Sequence, residues 1–293
     1  MIRLGTRRSA LATAQATQFA DALRALGHEV ELVQIVTTGD VNRAPVEQIG
    51  GTGIFVSALR DALLANEIDV AVHSLKDLPT ASVDGLTIGA IPVREDPRDV
   101  LVARDGLGLG ELQTGALVGT GSPRRVAQLE ALGLGLELTG IRGNVDSRIA
   151  MVTQGKLDAV VLARAGLARL GRLSEITETL DPIQVLPAPG QGALGVECRA
   201  DDAEVLKVLA PLEDAATRSA VLAERQLLAT LEAGCTAPVG ALAEVVEGED
   251  GPELWLRGAL GQEGGVRRLS ANGPVDDPVG LGRALAHELL EQT

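Results

Sequence analysis

Aromatic residues are almost missing from this chain, with two Phe, one Trp and no Tyr among 293 residues. Without stacking platforms a single-stranded nucleic acid is a poor ligand. The formal net charge of −14 argues further against nonspecific attraction to nucleic acid or to an anionic membrane. Lysine is nearly as scarce: Lys76, Lys156 and Lys207 are the only ones among 26 basic residues, so cationic work falls to arginine. The only cysteines, Cys198 and Cys235, form neither a disulfide framework nor a metal-ligand spacing, which predicts reduced thiols and no metal. No run approaches the roughly 18 apolar residues of a membrane span. Met1 to Gly27 lacks the unbroken apolar core of a signal peptide, so a cytoplasmic location is expected.

What is present is a chain long enough for two or three cores, with the 45% hydrophobic and 23% charged content of a globular protein. Short β-branched runs alternate with helical periodicity, predicting an α/β architecture with largely parallel strands. Strands are expected at 31–36, 69–74, 86–91, 100–103, 116–119, 158–163 and 194–198, and helices at 10–26, 55–65, 123–132, 145–154 and 215–231. Two Pro-containing stretches, Arg94 to Asp99 and Leu186 to Gly192, interrupt the pattern and suggest a double crossover between two lobes. After Glu213 a long helix, two strand-like runs around 247–252 and a final helix from Pro278, with Asp277 as its cap, predict a small α+β domain.

Three junctions share one design. Thr6 Arg7 Arg8 Ser9, then Thr120 Gly121 Ser122 Pro123 Arg124 Arg125, then Gly140 to Arg148 each put arginines at the start of an expected helix, where N–H groups and the helix dipole favour anions. Ser9 and Ser122 stand at N-cap positions. The planar guanidinium fork suits carboxylates and phosphates alike. Any single arginine there is most simply a solvated or ion-paired side chain, but three such junctions favour an anionic ligand. The glycines near 106–110 and 119–121 match neither a dinucleotide fingerprint nor a phosphate loop. His73, Ser74, Lys76 and Asp77 end an apolar strand, the place where open α/β sheets bind ligands. Asp77 there can stabilise a developing cation or move a proton, and Lys76 can hold an anion. Cys235 follows Gly234 at the exit of the long helix; a lone cysteine is most simply a small apolar core residue, but in a turn beside Gly and Pro its sulfur can instead reach another molecule.

In this order, the segments 6–11, 50–56, 72–79, 94–99, 120–125, 142–145, 186–193 and Gly234 Cys235 resemble the porphobilinogen deaminase (hydroxymethylbilane synthase) family from end to end. The resemblance implies two lobes of the type II periplasmic-binding-protein kind, formed by 1–95 with 190–212 and by 98–187. It adds a C-terminal domain, 214–293. It implies a transferase of porphyrin and heme biosynthesis that joins four porphobilinogen molecules, losing ammonia, and hydrolyses off linear hydroxymethylbilane. The primer would be a dipyrromethane cofactor held by a thioether to Cys235. Position by position, Asp77 becomes the catalytic carboxylate, expected to be buried. Lys76, Ser122, Arg124 and Arg125 become ligands of the cofactor carboxylates. Arg7, Ser9, Arg142, Arg148, Arg169 and Gln191 become substrate ligands. Thr52 stands where relatives often have Lys, and Ala233 where many have Gly. A monomer with no nucleic-acid or membrane partner is expected. The alternative is a two-lobed binding or sensor protein that clamps an anionic small molecule without chemistry.

Overall fold

The computed structural model describes residues 1–35, 54–231, 238–249 and 251–291. Cys235, Gly234, Ala233 and Thr52, with the rest of 50–53, all singled out above, lie outside the described residues.

In chain order, the stretch to Arg94 forms β1 (Ile2–Thr6), α1 (Ala10–Ala25), β2 (Val30–Gln34), α2 (Ile54–Leu64), β3 (Val70–Ser74) and β4 (Leu86–Ala90). The next stretch, to Gly192, forms β5 (Asp99–Ala103), β6 (Leu117–Gly119), α3 (Pro123–Glu130), β7 (Glu137–Thr139), α4 (Val145–Thr153), β8 (Ala159–Ala163), α5 (Arg164–Arg169) and β9 (Glu178–Thr179). Then come β10 (Leu194–Arg199), α6 (Ala203–Leu209), α7 (Ala215–Thr230), β11 (Val239–Gly248), β12 (Gly251–Gln262), β13 (Gly265–Pro274) and α8 (Pro278–Glu291). Two compact units result, Met1–Arg94 with Ala193–Arg218, and Glu95–Gly192 with Ser219–Thr293.

The first unit holds a five-stranded sheet in the order β2-β1-β3-β10-β4, and the second holds one in the order β7-β6-β8-β5-β9. These are the same topology. In each, the first three strands are parallel, and the fourth, β10 or β5, runs antiparallel to both neighbours. The expectation of largely parallel strands is corrected there. β10 and β5 enter their sheets where the chain passes between units, so no right-handed βαβ connection fixes their direction. The crossing segments touch within the second unit, where Glu95 N–H donates to Gly192 O at 3.3 Å. Gly192 has φ +88°, and a Cβ on it would lie 2.3 Å from Glu95 O, so only glycine fits.

The cores follow the sequence periodicity. α1 buries Ala16, Phe19, Ala20 and Leu23 at helical spacing against Ile2, Leu4, Val70, Val72 and Val196. In the second unit Val100, Val102, Val160 and Leu162 pack with Ile149 and Val152 of α4 on one face, while Leu101, Val161 and Leu129 of α3 fill the other. Residues 100–103 of β5 and 159–163 of β8 are apolar throughout for that reason. After Ser219 a three-stranded antiparallel sheet, β11-β12-β13, packs against α7 and α8 through Leu227, Leu254, Leu256, Leu285 and Leu289. A Cβ at Gly282 would meet Ala223 O at 2.3 Å, which is how closely α8 lies on α7. Asp277 caps α8, accepting Gly280 N–H at 2.9 Å. The expected class, α/β lobes joined by a double crossover and followed by a smaller α+β part, is what the structure shows.

Candidate active site

In the first unit, β1 and β3 are parallel neighbours, with Leu4 beside Val70 and Gly5 beside Ala71, so their carboxyl ends share one edge of the sheet. The edge presents Arg7 and Ser9 after β1, and Lys76 and Asp77 after β3. Ser9 caps α1 as expected, its Oγ accepting Ala12 N–H at 3.3 Å, and Thr6 Oγ1 donates to Ala12 O at 3.0 Å. The Leu75–Asp77 turn is held on three sides. Gln15 of α1 donates through Nε2 to Ser74 Oγ at 2.8 Å, Leu75 N–H to Ala193 O at 3.0 Å, and Leu78 N–H to Leu75 O at 3.1 Å. Lys76 and Arg7 are half-buried; Asp77 is exposed. The expectation of a buried Asp77 is thus corrected: the turn carries it past the strand end and away from the core.

His73, one residue earlier on the strand, points into the interior. Its Nε2 lies 3.0 Å from Glu197 Oε2, and Arg60 of α2 grips the same carboxylate through Nε at 3.0 Å and Nη2 at 2.8 Å. Burial pushes the Glu197 carboxyl up, but the His73 and Arg60 contacts more than offset it and hold it below its ordinary value. His73 therefore belongs to a core polar cluster rather than to the ligand edge.

In the second unit, β7, β6 and β8 are parallel, and the segments after their carboxyl ends carry every arginine expected on this lobe. Ser122 is half-buried at the N-cap position of α3, but its side chain makes no capping bond; its N–H donates to Thr120 Oγ1 at 3.3 Å. Asn144 caps α4, its Oδ1 accepting Ser147 N–H at 2.9 Å. Arg142 is exposed, and Arg148 Nε donates to Gly143 O at 2.9 Å. Arg169, at the end of α5, donates through Nη2 to Gly192 O at 2.6 Å, and burial lowers its affinity for its proton.

Arg124 and Arg125 behave differently from arginines on an open surface. They are only 3% and 5% exposed, and both turn onto Asp99, the first residue of β5, which is wholly buried. Arg124 Nη2 reaches Asp99 Oδ2 at 2.7 Å, Arg125 Nη2 reaches Oδ1 at 2.7 Å, and Gln191 Nε2 donates to Oδ1 at 2.8 Å. Arg124 Nη1 also donates to Leu186 O, and Arg125 Nη1 to Val161 O at 2.9 Å. Burial alone raises the Asp99 carboxyl, and the two guanidiniums overturn that, holding it well below the usual carboxylate range.

The antiparallel register sets Asp99 opposite Ala163, so the acid lies at the edge where β8 ends and the arginines begin. Two guanidiniums facing one carboxylate leave one positive charge uncompensated. The Nε atoms of Arg124, Arg125 and Arg169 are buried with no hydrogen-bond acceptor. Orphaned donors and surplus positive charge fit a ligand rich in carboxylates.

Asp99 itself was not anticipated as part of the site. Its signal was a lone acid opening an otherwise apolar strand, Asp99 Val100 Leu101 Val102 Ala103, which earlier marked only a lobe crossing.

A family model described as "Porphobilinogen deaminase, dipyromethane cofactor binding domain" matches residues 2–207, and one described as "Porphobilinogen deaminase, C-terminal domain" matches residues 219–291. The chain is 61% identical over 297 residues to the porphobilinogen deaminase of Nocardia farcinica, covering 99% of this chain and 86% of that protein. It is 60% identical over 298 residues to the porphobilinogen deaminase of Mycobacteroides abscessus, covering 99% and 97%. Among solved structures, a periplasmic substrate-binding protein of an ABC transporter from Coxiella burnetii aligns with a TM-score of 0.44 at 16% identity, over 72% of this chain and 91% of that one. The family models and the curated relatives, not that distant likeness, decide the assignment: this chain belongs to the porphobilinogen deaminase family.

Proposed function

We infer that this chain is a transferase that condenses four porphobilinogen molecules head to tail with release of ammonia, then releases linear hydroxymethylbilane by hydrolysis. The observation that carries the reading is the match to both family models, which together take in all the candidate site residues. Family membership favours it over binding without chemistry.

A dipyrromethane bound through a thioether to Cys235 supplies a tethered primer with one free pyrrole end. Arg124, Arg125, Ser122 and Lys76 hold its acetate and propionate groups. The surplus charge and orphaned Nε donors beside Asp99 support that role. Arg7, Ser9, Arg142, Arg148 and Arg169 take the carboxylates of incoming substrate, while Gln191, expected among them, is buried with Nε2 donating to Pro97 O and Asp99 Oδ1 and acts through Asp99 instead. Planar guanidiniums fix such groups by paired hydrogen bonds, which places the reacting carbons as well as binding them.

Asp77 supplies the remaining chemistry. Loss of ammonia makes the porphobilinogen ring electron-poor, and attack on it puts positive charge on a pyrrole ring before a proton leaves. A fixed carboxylate beside the ring N–H lowers both barriers. No helix among the described residues is long and apolar enough to cross a membrane. A net charge of −14 and hardly any aromatics support action without nucleic acid or an anionic membrane, and the chain is read, with its family, as a cytoplasmic monomer.

Intact-mass measurement tests the reading. The purified protein should exceed its sequence mass by two linked pyrrole units, and Cys235→Ser should not. An unmodified wild-type mass together with no turnover of porphobilinogen would sink it.

A further inference from the structure

We propose that Asp99 is the resident counter-ion of the arginine pair: it neutralises one of two buried guanidiniums so that the pair stands formed before the cofactor attaches, and it leaves one positive charge for a cofactor carboxylate. The proposal rests on the reading that Arg124 and Arg125 hold the cofactor.

Asp99 acts through the two arginines and is a positioning residue. Each of its two oxygens takes one guanidinium, at 2.7 Å in both cases, and the second terminal nitrogen of each arginine is fixed on a backbone carbonyl, Leu186 O or Val161 O. Every guanidinium has five N–H donors, and these contacts occupy two on each, with Nε among those left over. The pair is thus oriented by its own protein while keeping donors to spare. Gln191, from the second crossing segment, joins the same Oδ1 and also donates to Pro97 O at 2.7 Å, so the carboxylate is anchored from both crossing strands.

The electrostatics require such a group. Two like charges packed side by side and screened from water repel strongly, and a buried charge without a partner costs far more than an exposed one. With Asp99 the cluster carries one net positive charge, and with a ligand carboxylate it carries none. The cluster is therefore tolerable without the cofactor and best satisfied with it. Removing Asp99 shifts the whole task of compensation onto the cofactor. Protein lacking cofactor should suffer more than protein carrying it, whereas a merely structural contact would cost both forms equally.

The test is a double comparison of thermal unfolding. Asp99→Asn is made in the wild-type chain, which carries cofactor, and in the Cys235→Ser chain, which does not; intact mass verifies both states. The unfolding midpoint should fall by at least about 5 °C more in the Cys235→Ser background. Folding of Asp99→Asn only when the cofactor is attached would be the extreme form of the same result. Equal losses in the two backgrounds overturn the proposal.

If Asp99→Asn folds in neither, Asp99→Glu decides. It keeps the charge and should fold in both backgrounds with the wild-type difference in midpoint; a widened difference overturns the counter-ion role. Arg124→Gln and Arg125→Gln separate the underlying reading from the proposal. Full cofactor occupancy and unchanged stabilisation by the cofactor in both would remove the arginines from cofactor binding. Loss of either, with equal costs for Asp99→Asn, would remove only Asp99.

Discussion

The two sheets share one strand order, and each buries a carboxylate on its antiparallel fourth strand, yet the two acids do different things. Glu197 lies within β10, away from the strand ends, and meets one arginine and one histidine contributed by its own lobe's core. Asp99 opens β5 at the edge where the parallel strands finish, and meets two arginines from the first turn of α3. Position along the strand decides access, since ligands of open α/β sheets gather at the carboxyl ends of parallel strands. Charge count decides purpose. In the first cluster Arg60 and His73 both face Glu197, and Arg60 pins α2 to the sheet. The second has a charge left over. A buried ion pair is weak evidence of stability by itself, and a cluster with unequal charges is better evidence of something it has yet to bind.

The comparison is broken most severely if catalysis depends on the buried acid of the first unit rather than on the exposed one. Asp77→Asn keeps the shape of the side chain and removes its charge. It should leave the protein's mass increment in place and lower turnover of porphobilinogen by about 10²- to 10⁴-fold. Glu197→Gln should instead retain turnover in whatever fraction stays folded. Full activity in Asp77→Asn would reassign the catalytic group.

The next largest effect is on stability. Glu197→Gln leaves the half-buried Arg60 against a neutral amide, and breaking a pair whose acid is buried costs up to about 3 kcal/mol. Urea unfolding should report that loss alike with and without cofactor, because no ligand charge completes the first cluster. A loss that appears only in protein lacking cofactor would make the two clusters equivalent and erase the distinction.

Acid titration sharpens the same contrast more gently. The folded Glu197 carboxyl is held below its unfolded value, so its stabilisation is complete above the ordinary glutamate range and is lost as pH falls through and below it, from about pH 4 downward. The gap in urea midpoint between wild type and Glu197→Gln should close over that range. A gap that stayed constant to pH 3 would mean that the carboxylate contributes nothing by its charge.

Much of this was legible in the sequence because it is local. The helices at 10–25, 145–153 and 215–230 and strands β2 to β6, β8 and β10 read correctly from periodicity, and the junction arginines from their place before helices, whereas β1, β7 and β9 are not among the expected strands. What was not legible is what distant residues decide. The antiparallel direction of β5 and β10 comes from the lobe crossings. Strand β13, running from Gly265 to Pro274, offers the core beneath α7 and α8 only Leu269 and Ala271, an apolar face too weak to announce it, and its hairpin partner supplies the order. Asp99 meets Arg124 across 25 residues and Gln191 across 92. Nothing near it in the chain says that an acid at a crossing will be sealed in by cations. The exposure of Asp77 is the same lesson reversed, since a polar run after an apolar strand does not reveal whether its turn folds inward or out.

The smallest expected effect concerns Cys198, the neighbour of Glu197 on β10. Alternation along the strand turns the thiol to the opposite face, into the core with Phe19 and Leu209. Burial there, with the Asp202 charge adding to it, pushes the thiol up to about 11, so at neutral pH it is protonated as well as sealed from solvent. The thiolate is the reactive form, and Cys198 should stay unlabelled by an alkylating reagent at pH 8 until the protein is unfolded. Because the unfolded thiol ionises near 8.5 and the folded one later, the thiol's stabilisation is intact below that pH and fades as pH rises toward about 11. Cys198→Ala should remove this alkaline loss at a cost of about 1 kcal/mol in the neutral range. Rapid labelling of Cys198 in the folded Cys235→Ser chain would show that β10 opens to solvent. The first unit's buried cluster would then be no more closed than the second's.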